Sequence, residues 1–343
     1  MSSEMAEKLV AGVNKARKEE SMLLMSDPKT PITVDDVLST GLPNLDRILA
    51  CSINGKWGLP VGRIVGIKSK PSVGKTSFVL GIAREVQKRG GLVHIVESEH
   101  ALDLEYIRKL KCNVEDFMIS QPDNLEESFE IIENAVELCV NLREKYDNQA
   151  PFLIIMDSFS GFQTESEMGS GYGSSGGLAE HARVASRACR KLTGPIKKAK
   201  ALLLVVHQIK SKIGMTWGNP ETHIGGDAFR FHDSIEISLY RTTSLKSGTQ
   251  ILGHYGTART TKNKLYPPFR EAKFKIINGK GFDRNFAILE FLLSEKEIKK
   301  RGGWFTFRRS PEIRFQGSSS FFDLLREDKS TRMLVRKILS EKT

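Results

Sequence analysis

The chain has 343 residues, 39% hydrophobic and 27% charged, a balance that suits a folded protein and excludes an intrinsically disordered one. Its 52 Lys and Arg against 41 Asp and Glu leave a net charge of +11, which favours a polyanionic partner, nucleic acid most simply. Four scattered cysteines (Cys51, Cys112, Cys139 and Cys189) form no CxxC pair, and no apolar run reaches the length of about 18 residues that a membrane span needs, so no zinc knuckle, disulfide framework or membrane segment is predicted and a cytoplasmic protein is expected.

Residues 3–20 predict an amphipathic helix with Met5, Leu9, Val10 and Val13 on one face, available to its own domain or to a neighbouring subunit. After the polar stretch 27–31 come four runs that are apolar nearly throughout: Ile64–Ile67, Leu92–Val96, Phe152–Met156 and Leu202–Val206. Such runs suit strands buried on both faces of a parallel sheet. Between them, Val79, Ile82, Ala83 and Val86 repeat at helical spacing and stop at Lys-Arg-Gly-Gly (88–91), and Asn124 with Glu127 reads as a capping box opening a helix to about Lys145. Alternation of this kind predicts an α/β fold with a doubly wound, mostly parallel sheet. From about residue 233, "SIEISLY", "GTARTTKNKL" and "AKFKIING" read as further strands extending that sheet, and past 283 a smaller unit follows. Residues 284–343 carry 14 Lys and Arg against 8 Asp and Glu, more than half of the chain's excess charge in its last sixth.

The stretch "IVGIKSKPSVGKTSF" (64–78) poses the main chemical question. It ends as a phosphate-binding loop ends, after a strand and before a helix, where backbone N–H groups converge on phosphates, a Lys supplies charge and a hydroxyl helps to hold Mg²⁺. The eight positions are Ser69, Lys70, Pro71, Ser72, Val73, Gly74, Lys75 and Thr76, with Ser77 following; Ser69 stands where Gly is expected, and positive φ there would cost about 1 kcal/mol. Asp157, ending "FLIIMD", is placed to reach Mg²⁺ or to cap a helix. Glu99 or Glu97 is placed to orient water towards a γ-phosphate, and Gln208, ending "LLLVVHQ", to sense that phosphate. All of these strand ends fall on one rim of the sheet, where open α/β folds bind ligands.

Beyond this loop, the chain resembles the RecA recombinase family of bacteria and their phages. The matching stretches run in order over about residues 35–310: "STGLPNLDRIL" (39–49), "GLPVGRIVGI" (58–67), "ESEHALDLEYIRKL" (97–110), "ISQPDNLEES" (119–128), "IIMDS" (154–158), "KIGMTWGNPETHIGGDAFRF" (212–231), "TKNKLYPPFREAKFKI" (261–276) and "GGWFTF" (302–307). The resemblance implies a RecA-type P-loop ATPase core over 35–283, an N-terminal helix for subunit polymerisation within 1–34, and a small basic α+β domain over 284–343. It implies ATP and Mg²⁺ as cofactors, with Glu99 as catalytic base, Lys75, Thr76 and the loop on the phosphates, Thr76 and Asp157 on the metal, Gln208 as γ-phosphate sensor, and Asp103 and Tyr106 on adenine.

In the same way it implies a homo-oligomeric helical filament in which Lys262 and Lys264 reach a neighbour's γ-phosphate and Phe231 lies in the interface. Two loops, about 165–183 and 209–226, are implied to bind single-stranded DNA, with Leu178 and Ile213 between bases and Arg183, Lys210, Lys212, Gly225 and Gly226 on the backbone. Arg241 and Arg259 are implied for a secondary site holding double-stranded DNA or a displaced strand. The implied activity is DNA-dependent ATP hydrolysis coupled to homologous pairing and strand exchange, in recombination and repair. A hexameric motor of the same core and a scaffold without catalysis are the competing readings. The "TKNK" cations and the "GNPETHIGG" loop speak against the first, and intact Lys75, Thr76, Glu99 and Asp157 against the second. The departures from the family pattern are Ser69, His207 where Asn usually precedes the sensor, Trp217 where Phe is common, and a first loop with an extra residue or two. The final residues "RMLVRKILSEKT" replace an acidic tail, which implies weaker competition with DNA for basic surfaces.

Overall fold

The computed structural model describes residues 2–27, 34–146, 149–170, 177–211, 221–223 and 228–343. The chain opens with α1 (Ser2–Arg17), which stops three residues short of the predicted end. Lys18 turns to a φ of 55°, and the Asn14 side chain accepts the N–H groups of Ser21 and Met22, so the chain folds back on the helix end. Met5 and Leu9 on its apolar stripe are exposed. Next comes a small antiparallel sheet that the sequence reading did not anticipate: β1 (Val37–Leu38), α2 (Pro43–Asp46), β2 (Ala50–Cys51) and β3 (Trp57–Pro60), with β3 in the middle.

The main unit runs β4 (Arg63–Ser69), α3 (Lys75–Gln87), β5 (Leu92–Glu97), α4 (Leu104–Lys109), β6 (Phe117–Ser120), α5 (Leu125–Tyr146), β7 (Phe152–Asp157), α6 (Glu165–Met168), α7 (Gly177–Lys198), β8 (Ala201–Ser211), β9 (Glu221–His223), α8 (Ala228–His232), β10 (Ile235–Ser247), β11 (Gln250–Asn263), β12 (Glu271–Ile277) and β13 (Gly281–Phe282). The ten-stranded sheet has the order β13-β12-β11-β10-β4-β8-β7-β5-β6, with β9 attached to the end of β8. From β10 to β6 neighbours pair in parallel, and the β10–β13 meander is antiparallel. This is the predicted doubly wound α/β fold. Its parallel strands are apolar throughout because both faces are covered. Leu202, Leu204 and Val206 of β8 pack with α3, while Leu203 and Val205 pack with α5 and α7.

α3 ends at the basic turn as predicted, with Gly90 at a φ of 69°. The α5 start differs by one residue. Asn124 accepts the Glu127 N–H at 2.8 Å, but the Glu127 carboxylate reaches back to the Asp123 N–H at 2.8 Å, so the reciprocal bond closes one position earlier.

Residues 284–343 form α9 (Arg284–Ser294), β14 (Ile298–Arg301), β15 (Trp304–Phe307), β16 (Arg314–Gln316), α10 (Gly317–Glu327) and α11 (Lys329–Lys342), around a core of their own that includes Phe291, Phe307, Phe315, Phe321 and Ile338. Arg47 of the main unit pairs with Glu295 at 3.1 Å, and the Trp57 N–H donates to the Thr343 carbonyl at 3.0 Å, joining this unit to α2 and β3. Among the described residues, no helix is long and apolar enough to cross a membrane.

Candidate nucleotide site and its surroundings

Register alone brings the rim together. Ser69 of β4 pairs with Gln208 of β8, and Glu97 of β5 pairs with Asp157 of β7, while β7 and β8 are neighbours. The loop after β4 then turns into α3. Ser69 is fully buried at the strand end, outside the left-handed region; the positions at positive φ are Ser72 (60°) and Gly74 (103°). Ser69 therefore does not carry the strain that a positive φ would bring, and the non-glycine residue at positive φ is Ser72. A Cβ on Gly74 would lie 2.5 Å from Ile276 Cδ1, so both conformation and space require glycine there.

Lys75 opens α3 and folds back over the loop. Its Nζ lies 3.3 Å from the Lys70 carbonyl, 3.4 Å from Ser69 Oγ and 3.5 Å from the Ser69 carbonyl, three long contacts that leave the ammonium weakly held. Burial lowers its pKa, and the nearby charges of Asp157 and Glu99 oppose that. Val73 is buried and its carbonyl lies 3.2 Å from His254 Nε2 of β11, which braces the loop from below. Thr76 Oγ1 donates to Asp157 at 3.0 Å. Burial pushes the Asp157 carboxyl up to about 6; the Thr76 hydroxyl lowers it, and Glu99 raises it further. A desolvated carboxylate beside a hydroxyl and a weakly held ammonium, at the turn from strand to helix, is a group short of positive charge that fits a nucleoside triphosphate with its divalent cation.

The structure separates the two candidate bases. Glu97 is buried and fully engaged: one oxygen accepts the Ala101 and Leu102 N–H groups at 2.6 and 3.0 Å, and the other accepts Gln121 Nε2 at 2.9 Å. It shapes the loop before α4. Glu99 instead faces the rim, where Ser158 Oγ donates to it at 3.0 Å and Gln208 Nε2 at 2.6 Å. Gln208 is in turn held by its own N–H, donated to Ser160 Oγ at 3.1 Å. Ser158 and Ser160 were not singled out in the sequence; their place directly after Asp157, on a loop facing Gln208, was the available signal. Asp103 caps α4 by accepting the Glu105 N–H at 2.8 Å, and the Tyr106 hydroxyl shares a hydrogen bond of 2.6 Å with Ser77 Oγ of α3, so the segment that carries both stands beside the phosphate loop.

The opposite rim holds a second group. Lys262 lies at the end of β11 and Lys264 just after it; Lys262 pairs across the sheet with Glu236, and Glu236 with Gly66. The Lys264 N–H donates to the Ser234 carbonyl and the Ser234 N–H to that of Ile64, which sets the pair at the start of β4. Five residues of strand, about 16 Å, separate Ile64 from Ser69. These cations point away from their own phosphate loop: Lys262 Nζ donates to the Arg230 carbonyl, and Lys264 Nζ to the Phe231 carbonyl at 2.8 Å. Phe231 itself is 75% exposed.

Around the first loop, the described residues form α6 before it and the first turns of α7 after it. Thr164 and Glu167 close a capping box on α6, and the same Glu167 carboxylate meets His181 Nε2 at 2.8 Å. Arg183 is exposed and paired with Glu180 at 2.5 Å. Leu178 starts α7 and Lys210 lies near the end of β8, but their side chains are outside the described residues, as are Lys212, Ile213, Gly225 and Gly226 entirely. The second loop rises from a β-hairpin base in which Ile209 pairs with His223 and Ser211 with Glu221. Arg241 donates to Ser244 at 2.9 Å, and Arg259 lies 3.8 Å from Glu271 and over the Phe269 ring. The register pairs Arg241 with Gly256 and Ser238 with Arg259, so the pleat sends the two side chains to opposite faces of β10–β11.

Comparison with known proteins agrees with this geometry. The family model described as the RecA N-terminal domain matches residues 5–283. The chain is similar to the protein named Protein RecA in Porphyromonas gingivalis, 37% identical over 277 residues that cover 80% of this chain and 77% of that one. It is also similar to Protein RecA of Pseudomonas putida, 38% identical over 275 residues covering 79% and 72%. With a family match over most of its length and relatives of this closeness, the chain belongs to the RecA family.

Proposed function

We propose that this protein is an ATP-dependent DNA recombinase of recombination and repair: it assembles as a helical filament on single-stranded DNA, hydrolyses ATP there, and pairs the bound strand with homologous duplex. The observation that carries the reading is the polarity of the sheet. One rim bears the phosphate loop with Glu99, Asp157 and Gln208; the other bears Lys262, Lys264 and the exposed Phe231. Two half-sites on opposite rims of one subunit join only when subunits stack head to tail, which makes nucleotide binding and polymerisation one event. Residues 1–34, with their exposed Met5 and Leu9, serve assembly; 35–283 form the motor core; and 284–343 form a basic accessory domain.

Within the site, the loop amides, Lys75 and Thr76 would hold the triphosphate, and Thr76 with Asp157 the Mg²⁺, which when bound neutralises charge developing on the phosphates. Glu99 accepts a proton from water, and Gln208, bonded to it at 2.6 Å, reports the state of the phosphate end to β8 and so to the second loop. Arg183 and Lys210 would lie along the single strand, with Leu178 and Ile213 between its bases and Lys212, Gly225 and Gly226 on its backbone. Arg241 and Arg259, on opposite faces of the β10–β11 pair, would contact a second strand in separate places. The test is ATP hydrolysis measured with and without single-stranded DNA over a series of salt concentrations. Strong stimulation that falls as salt rises supports the reading; turnover indifferent to DNA refutes it.

A further inference from the structure

We propose that Asp233 is a positioning residue for Lys262 and Lys264: together with the carbonyl end of α8 it stows the two ammonium groups in the free subunit, and a neighbour's nucleotide must draw them out. This rests on the reading that the pair acts across a subunit interface. Asp233 immediately follows α8 and donates its N–H to the Phe229 carbonyl at 2.7 Å. It is 1% exposed, and its Oδ1 has no hydrogen-bond partner among the described residues. Around it stand Glu236, Lys68, Lys262 and Lys264. Lys68 is committed to Glu236 at 2.6 Å, and the same Glu236 oxygen takes the Thr261 hydroxyl at 2.5 Å. The two cations left to compensate Asp233 are Lys262 and Lys264.

The electrostatics run both ways. Burial, and then the Glu236 charge, raise the Asp233 pKa well above the usual carboxylate range, and the three lysines pull it back. Lys262 is itself a poorly solvated cation: burial lowers its pKa first, the Lys264 charge adds to that, and Asp233 and Glu236 oppose it. Cations that donate to helix-end carbonyls beside buried acids, with little solvation of their own, are poised to leave for a stronger anion. The neighbouring strand makes room for the device. A Cβ at Gly66 would lie 2.5 Å from Asp233 Oδ2, so the acid needs glycine there although Gly66 has ordinary strand φ.

The experiment compares the full chain with Asp233→Asn, which keeps shape and removes charge, in single-stranded-DNA-dependent ATP hydrolysis over a range of ATP concentrations. The expected result is a half-saturating ATP concentration about threefold to tenfold lower with kcat unchanged, together with assembly on DNA at lower protein concentration. Superimposable curves, or a loss of kcat, would overturn the proposal. If Asp233→Asn does not fold, Gly66→Ala, which displaces the carboxyl, must give the same shift. Failure of the underlying functional reading would show separately, as unmodified protein whose hydrolysis ignores DNA.

Discussion

Replacing Asp157 by Asn removes a buried charge while an amide oxygen remains to accept the Thr76 hydroxyl, now 3.0 Å from the carboxylate. The Asp157 carboxyl is pushed up to about 6 from an ordinary value of 3.8, chiefly by burial. Because the folded chain binds this proton more tightly than the unfolded chain, stability is greatest when both are protonated. It falls as pH rises from 3.8 to about 6, and stays reduced above that. At 1.36 kcal/mol for each pH unit, the interval of about 2.2 corresponds to about 3 kcal/mol. The attraction of Lys75 is already included in that shift, and the amide of Asn carries a desolvation cost of its own, so a net gain of about 1–3 kcal/mol is expected for Asp157→Asn at pH 8. For a chain of this length that is a rise in Tm of roughly 1–4 °C. The assay is thermal unfolding of both proteins in EDTA without nucleotide, from pH 4 to pH 8. The gain should be absent near pH 4 and complete above about pH 7. With Mg²⁺ and ATP the order should reverse, since only the unmodified protein is stabilised through that carboxylate. A variant less stable than its parent at pH 8 in EDTA, or a difference that ignores pH, would refute the reasoning.

Other substitutions test single contacts. Glu99→Gln should lower DNA-stimulated turnover by about 100-fold or more while ATP-dependent DNA binding persists; retention of turnover would move the base elsewhere. Ser69→Gly should change half-saturating ATP by less than about threefold, because Ser69 carries no left-handed strain to relieve; a large gain in affinity would show that the Ser69–Lys75 contact holds the lysine back. Phe231→Ala removes a side chain that is 75% exposed, so Tm should stay within about 1 °C while cooperative assembly on DNA is lost. A large fall in Tm would mean that Phe231 packs within its own subunit.

The sheet was legible because its physics is local: strands buried on both faces must be apolar throughout, and β4, β5, β7 and β8 all announced themselves that way. The rim residues followed, since ligand groups gather where such strands end. The choice between Glu97 and Glu99 was not local. It depends on Gln121 and the Ala101 and Leu102 amides occupying one carboxylate, and on Ser158 and Gln208 flanking the other. Resemblance pointed to Glu99, and the hydrogen bonding leaves that carboxylate, not Glu97, facing the rim. The conformation at Ser69 was not legible, because a gap in a motif says nothing about φ, and the positive φ angles of the turn fall at Ser72 and Gly74. The β1–β3 sheet was missed because two-residue strands leave no periodicity to read. The buried charges under Lys262 and Lys264 were hidden for a related reason. Asp233 and Glu236 look like solvated residues of a surface strand until β4 and β11 are laid beside them.

Homologous pairing tests the central claim most directly. Protein assembled with ATP on a labelled single strand would be mixed with duplex DNA that is either homologous to that strand or unrelated to it. Joint molecules are predicted with the homologous duplex only, in an ATP-dependent reaction that Lys75→Ala abolishes. Joint molecules formed equally with both duplexes, or none with either despite DNA-stimulated ATP hydrolysis, would contradict the account and leave a DNA-dependent ATPase that does not exchange strands.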